Sequence, residues 1–501
     1  MSFLSAFLTQ ADIIQLSVVL PLIGGLFVMW LGERNNNLRE TASLVTAVAE
    51  FMLVATLIPD VLAGARPSVD LFEMLPGLAL SFTVEPLGLL FALIASGLWI
   101  INTVYSIGYM RGNCERRQTR FYVYFTVAIS SAVGIAFSGN LLTLFVFYEV
   151  LTLSTYPLVT HSGTVGALRG GRVYLGILMS TSIGLLFFGM LWTYNITGTL
   201  DFTQGGILAG KVQGPELAVL MFLYMYGIGK AAMMPVHRWL PAAMVAPTPV
   251  SALLHAVAVV KAGVFAVLKV VVYIFGMDLL VESSADDWLI FTACFTIIAA
   301  SVIALRQDNL KRRLAYSTIS QLSYVIMGAA ILAPVSIMGA AMHIAAHAFG
   351  KITLFFAAGS IYTAAHKTEV SQLDGIGKRM PWTMTAFAIG ALSMIGLPPT
   401  AGFISKWYIL NGAVETQNAL AILVIIASTL LNAAYFLPII YAAFFKEQKL
   451  RPDTDPYAKY DNHGEAPLGI VLALSLTALG TLALFFWPGV PLALARALVG
   501  G

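Results

Sequence analysis

Long apolar runs dominate this chain, and they leave it one medium to fold in. Stretches with few charges fall at about 13–31, 42–64, 80–108, 120–138, 141–160, 172–198, 216–235, 250–275, 287–305, 314–333, 337–364, 382–411, 418–445 and 466–495. A bilayer-crossing helix needs about 20 apolar residues, so the pattern predicts fourteen crossings. Charged residues make up 11% of the chain, against roughly 25% in a soluble domain. A soluble enzyme and a disordered chain are both excluded. Lipid offers the backbone no hydrogen-bond partner, so each run is expected to be helical. The runs are too long, and lack the alternation, for barrel strands. The expected fold is an all-α integral membrane protein. The N-terminus has no basic stretch before its first run, which reads as a retained span in place of a cleaved leader.

Lysine and arginine set the orientation. Loops after odd-numbered runs hold twenty of the 28 basic residues, from Arg34 to Lys459. Opposite loops and the tail hold Arg66, Lys211 and Arg496. The positive-inside rule places the basic loops in the cytoplasm and both termini outside. No water-soluble domain fits between runs. Cys114 and Cys294 are too few for a disulfide framework or a metal cluster. A phosphate loop, a C-x-x-C and an H-E-x-x-H are all missing, so no cofactor and no metal is expected. The small net charge of +3 gives no reason to expect nucleic acid as a partner.

Ionisable groups inside the runs are the most informative residues, because each costs several kcal/mol at membrane depth unless paired or hydrated. Glu149 sits mid-way along the fifth run. Lys230 lies in the seventh, beside Gly227, Gly229 and Pro235. Lys406 lies in the twelfth, after Pro398, Pro399 and Gly402. Glycine and proline predict that both lysine-bearing helices are broken. They stand five helices apart, so a five-helix repeat would be inverted in the membrane. Runs 4–8 (120–275) and 9–13 (287–445) form the natural pair, flanked by 1–119 and 446–501; inverted repeats with broken helices mark transport pathways. Lys261 lies mid-way along the eighth run. His255 is six residues earlier, about 240° around an ideal helix. Lys269 is nearer the outer end and reads as snorkelling to the interface. His343, His347 and Lys351 are spaced i, i+4, i+8, a stripe rising about 12 Å. The alternatives are a proton wire and a polar seam between packed helices. Glu50, in the second run, is either a further carboxylate site or a contact to another subunit. His161 and His237 fall near cytoplasmic ends, as proton-uptake points or ordinary interface residues.

Three stretches carry a family resemblance. Pro235 to His255 reads Pro-Val-His-Arg-Trp-Leu-Pro-Ala-Ala-Met-Val-Ala-Pro-Thr-Pro-Val-Ser-Ala-Leu-Leu-His. With His347-Ala-Phe-Gly-Lys351 and Pro398-Pro-Thr-Ala-Gly-Phe-Ile-Ser-Lys406, it resembles the antiporter-like subunits of respiratory complex I and of Mrp-type multisubunit cation/proton antiporters. The resemblance implies fourteen helices with two inverted five-helix repeats. It implies proton carriage by Glu149, Lys230, Lys261, His343, His347, Lys351 and Lys406, with His255 beside them. It also implies sibling membrane subunits as partners, with Na+ or K+ moved by the complex. Ala242 departs from the family's frequent Asp there. Lys406 follows the D-type Mrp subunits and the terminal complex I subunit, and the stop at Gly501 resembles the shorter members. Two other readings stay open on sequence alone: a self-sufficient solute transporter, and a non-conducting membrane anchor for a redox partner. The topology has a direct check. Single cysteines placed in 109–119, 306–313 and 446–465 should react with an impermeant thiol reagent only from the cytoplasm; labelling from outside would overturn the orientation.

Overall fold

In the computed structural model, residues 8–75, 78–448, 457 and 460–500 are described. Much of the expected loop 446–465, with Lys449, Arg451 and Lys459, therefore lies outside the described residues. Each apolar run falls largely on helix. In chain order these are α1 (Gln10–Leu31), α2 (Asn36–Ala55), α3 (Pro86–Gly112), α4 (Gln118–Ala136), α5 (Leu141–Val159), α6 (Val165–Thr197), α7 (Pro215–Gly227) and α8 (Thr248–Phe275). There follow α9 (Asp287–Leu305), α10 (Leu310–Ala330), α11 (Pro334–Ala365), α12 (Pro381–Ile395), α13 (Ala401–Glu415), α14 (Ala419–Phe445), α15 (Leu468–Phe486) and α16 (Gly489–Leu498). Among the described residues, eleven helical stretches are long and apolar enough to cross a membrane. The count falls short of fourteen for identifiable reasons. α7 stops after 13 residues. α10 is long but rich in Ser, Thr, Gln, Lys and Arg. The twelfth run is divided into α12 and α13, each of 15 residues.

One segment corrects the all-helical expectation. Ser68–Leu75 and Leu78–Thr83 pair as an antiparallel hairpin, and the third helix begins only at Pro86. Leu-Ala-Leu-Ser-Phe-Thr alternates buried and half-buried positions, the two-residue period of a strand. The hairpin is tied to the α4–α5 junction: Asn140 Nδ2 donates to the Ala79 carbonyl at 2.8 Å, and Thr83 N to that of Phe137 at 2.6 Å. It thus caps the end of the bundle opposite the arginine-rich loops.

Burial orders the helices. The most apolar 18-residue window of α8 is wholly buried and that of α11 is 94% buried, whereas those of α2 and α15 are 33% buried. α8 and α11 form the axis; α1, α2, α14 and α15 lie at the margin. α8 is not a regular helix. Leu253–Val257 and Val270–Phe275 are π-turns, the single-turn bulges that often sit at functional sites. One glycine sets what lies against α8. A Cβ on Gly263 would collide with the Ala231 backbone nitrogen, so only glycine lets the backbone that follows α7 press on the axis. Gly263→Ala must push the two apart. We expect the complex to lose at least about 1–3 kcal/mol, the usual scale of overpacking, read as a lower midpoint of thermal aggregation; an unchanged midpoint would mean that the two segments do not meet closely.

Candidate functional site

The helix breaks are real and place both flanking lysines. α7 ends at Gly227; a single 3-10 turn, Gly229–Ala231, follows, and Ala232 takes a left-handed conformation with φ 57°. Trp239 Nε1 donates to the Gly229 carbonyl at 3.0 Å, beside the bond that the same oxygen accepts from Ala232 N. The turn carries Lys230 into the interior, fully buried. Its Nζ donates to the Tyr148 carbonyl at 2.7 Å and Thr152 Oγ1 at 2.6 Å, and lies 3.1 Å from the centre of the Tyr148 ring. Tyr148 Oη accepts from Lys230 N at 3.1 Å.

Opposite charge makes Glu149 the obvious mate for Lys230, yet the two are not directly bonded. No ion pair joins them within 4.0 Å, and neither Glu149 oxygen has a hydrogen-bond partner among the described residues. The reason is helical phase. Tyr148 and Thr152 lie one turn apart on α5, while Glu149 is turned about 100° from Tyr148. Lys230 reaches the first face, and the carboxylate is left beside it.

At the second break, α12 ends at Ile395, Gly396 takes φ 92°, and α13 starts at Ala401. A helix end leaves its last carbonyls without amide partners and with partial negative charge. Lys406 Nζ donates to two of them, Met394 O at 2.7 Å and Ile395 O at 3.1 Å, and lies over the Tyr324 ring at 4.6 Å. A Cβ on Gly402 would overlap Ser393 O, so glycine is required for α13 to fold back onto α12 and carry Lys406 there.

Between the breaks, α8 and α11 bring the central groups together. Lys261 Nζ is hydrogen-bonded to His347 Nδ1. The His343 and His347 ring centres are 6.1 Å apart, and His343 Nδ1 meets Ser405 Oγ at 2.8 Å, next to Lys406. The predicted α11 stripe therefore exists, and it links Lys261 to the second break. Lys351 branches toward α10: its Nζ donates to Ser317 Oγ at 2.7 Å and Leu314 O at 3.2 Å, and Tyr435 Oη donates to Ser317 Oγ at 3.0 Å. His255 is buried with both ring nitrogens unpartnered among the described residues, its ring 4.7 Å from that of Phe355. His255 sits inside the π-turn Leu253–Val257, so the 240° drawn for an ideal helix is not the geometry that separates it from Lys261.

The interface reading of Lys269 is also corrected. It is fully buried; its Nζ lies 2.6 Å from Glu85 Oε1 and donates to Ser138 O at 2.8 Å. Sequence reasoning gives Glu85 no prominence; its place directly before Pro86 at a helix start is the only available sign. At the arginine-rich end, His161 follows α5. Burial first, and Arg120 second, hold its imidazole down at about 4, so it is neutral at physiological pH. Burial pushes the Glu115 carboxyl above its ordinary range. A cavity of about 300 Å³, lined among others by Tyr109, Glu115, Thr248, Lys311 and Tyr362, lies between α3, α8, α10 and α11.

Known proteins share this arrangement of helices. The family model described as NADH:quinone oxidoreductase/Mrp antiporter, TM matches residues 138–432. NADH-quinone oxidoreductase subunit N of Desulforudis audaxviator is 33% identical over 381 residues, covering 74% of each chain. The D-type subunit of the Na(+)/H(+) antiporter of Alkalihalophilus pseudofirmus is 27% identical over 469 residues, covering 93% of each. A solved Mrp complex from Dietzia sp. DQ12-45-1b contains a chain of like fold, with a TM-score of 0.84, 21% identity and 97% of both chains covered.

The Glu85–Lys269 pair yields a stability test. Breaking a buried ion pair from one side costs about 3–5 kcal/mol, whereas removing both charges is often nearly neutral. Glu85→Ala should therefore abolish recovery of folded protein in detergent, and Glu85→Gln/Lys269→Met should restore most of it. Equal losses in the two variants would show that the pair is not the tie.

Proposed function

This chain belongs to the NADH:quinone oxidoreductase/Mrp antiporter membrane family, and on that premise we propose that it is the proton-translocating subunit of a multisubunit Na+(K+)/H+ antiporter, of the D-type Mrp kind. It works in the cell membrane beside sibling membrane subunits, with its arginine-rich loops in the cytoplasm and both termini outside. Residues 120–275 and 287–445 act as two half-channels. Glu149 and Lys230 serve the first; His343, Lys351 and Lys406 serve the second; Lys261 and His347 join them.

The observation that carries this reading is the hydrogen bond between Lys261 and His347. It is a contact between two titratable side chains in the most enclosed part of the bundle, and it lies between the two broken helices. A proton passed from one nitrogen to the other crosses from α8 to α11 without opening the protein. From His347 the route continues through His343 and Ser405 to Lys406. At each break the lysine rests on backbone or hydroxyl oxygens, so its charge can change without leaving a bare carboxylate behind. Glu149 stands close enough to feel that change and has no bond to break in order to answer it. Charges interact strongly across a few ångströms of low-dielectric interior, so a proton gained at one site changes the field at the other. The cavity beside Glu115 and Lys311 provides the approach from the cytoplasmic side.

The end-to-end likeness to a D-type antiporter subunit favours cation exchange. The higher identity to a quinone oxidoreductase subunit N supports a second reading, in which the same half-channels belong to a redox-driven proton pump.

The test is made on the assembled complex in proteoliposomes, with an internal pH dye. Glu149→Gln preserves shape and removes titration, and it strands no cation because Lys230 is held by Tyr148 and Thr152. It should assemble normally and lose at least about 90% of proton movement, on the scale of losing a positioned acid–base group. Lys261→Met should do the same, and Glu149→Asp should keep part of the activity. Wild-type transport in the Glu149→Gln/Lys230→Met double variant would reject the mechanism.

A further inference from the structure

Glu50 stands outside both half-channels. It lies near the middle of the span Asn36–Leu62, its side chain is fully buried, and neither carboxylate oxygen has a hydrogen-bond partner among the described residues. Leu38, Val45 and Met52 occupy the exposed face of α2, so Glu50 points into the chain's own helices and not toward a neighbouring subunit. Arg39, Ser43 and Glu50 fall within about 40° of one another around the helix axis, which gives α2 a polar inward edge.

That edge continues into the helices beside it. Ser43 borders a void too small for a water molecule, lined by Thr103 and Ser106 of α3 and Tyr122 and Thr126 of α4 together with the rings of Trp99, Phe121 and Phe125. Tyr122 Oη is buried there without a partner, and Arg39 Nε is another such atom. Buried polar atoms left unpaired are rare and call for a physical reason; here they mark one face. At the arginine-rich end the edge reaches Glu40, which is paired with Arg111, and Arg39, which donates to Gln118 Oε1 at 2.7 Å and Thr119 Oγ1 at 3.2 Å. Glu50 lies about 10 Å deeper than Ser43 along the helix.

The surroundings supply no counter-charge. α1, α3 and α4 pack against α2. α1 brings only Asp12, in its first turn at the far end; α3 brings Tyr105, Tyr109 and Arg111; α4 brings Arg120, Tyr122 and Tyr124. None of these is bonded to Glu50. A bare carboxylate at this depth is costly, and the neutral acid is not. A hard cation demands several oxygen ligands, and here one carboxyl stands without others bonded to it. The occupant is therefore a proton.

We propose that Glu50 is a third proton-binding site of this chain, filled from the arginine-rich end along the inward face of α2 and separate from the two half-channels. The step makes one O–H bond on a carboxylate oxygen. The proton comes from water and returns to water, and nothing is oxidised or reduced. The site places a titrating group in the N-terminal helices, where its charge can bias the Glu149 half-channel.

The test uses the full chain in its native complex in membrane vesicles. Dicyclohexylcarbodiimide attacks protonated carboxyls in apolar surroundings, and peptide mass spectrometry reads the adduct at Glu50 separately from Glu149. Adduct at Glu50 should form at mildly acidic pH and fall away as the medium is made alkaline. Glu50→Gln should assemble yet slow cation-driven proton exchange several-fold, and Glu50→Asp should recover part of the rate. No adduct at any pH, adduct that does not vary with pH, or wild-type exchange in Glu50→Gln would each overturn the proposal. If Glu50→Gln does not assemble, labelling of the unaltered chain decides. The half-channel reading fails separately: Glu149→Gln would then transport normally while the Glu50 adduct still followed pH.

Discussion

A lysine ammonium placed in hydrocarbon must be given oxygen or nitrogen, and this fold is organised around supplying it. Part of the supply comes from places where the helical ladder ends, and part from carbonyls of continuous helices that lie beside a hydroxyl. Lys406 takes the two carbonyls that terminate α12. Lys351 takes Leu314 O from the polar start of α10, and Lys269 takes Ser138 O from the α4–α5 junction. Lys230 rides on a broken segment and reaches a carbonyl and a hydroxyl on α5. Lys261 differs: its hydrogen bond goes to an imidazole, a group that can itself accept and release a proton. The other lysines are anchored, and this one is connected.

The anchoring depends on close backbone approach, and glycine makes that possible at both breaks. Gly263 admits the segment after α7 to the surface of α8, and Gly402 admits α13 to the end of α12. A methyl group at either position would collide with backbone, which cannot rotate out of the way. The lysine positions are therefore fixed by steric fit several residues away, a coupling that no list of charged residues conveys. Such fixed placement is what proton transfer requires, since donor and acceptor must meet within hydrogen-bond distance.

Sequence is legible where a residue type conflicts with its medium. Lys230, Lys261, Lys351, Lys406, Glu149, His343 and His347 stand out in apolar runs because lipid forbids isolated charge, and Gly and Pro beside Lys230 and Lys406 announce the breaks. Partners and phase are not legible in the same way. Glu149 and Lys230 are natural mates by charge, but the turn of α5 offers Lys230 a different face. Along its own helix Lys269 stands close enough to an interface to snorkel, whereas Glu85 arrives from another element altogether. The angle expected for His255 assumes regular α-geometry, which the π-turn at Leu253–Val257 breaks. The hairpin at 68–83 carries a visible two-residue alternation, masked by the apolar run that follows it.

The polarity of α10 has a consequence for how the chain is made. A segment crosses from the translocation channel into lipid when its summed residue preferences favour the bilayer, and each central Lys or Arg weighs against it by about 2.5–3.5 kcal/mol. α8 carries two lysines and a histidine, yet its best window reaches a mean hydropathy of 2.3, enough to partition early and alone. α10 does not reach that standard, whereas α9 before it does, also at 2.3. The two are laid side by side, with Ser301 and Ser320 hydroxyls 3.0 Å apart. A neighbour that shelters those hydroxyls lowers the cost of entering the bilayer, so the helix that solvates Lys351 in the finished protein gains from entering together with α9.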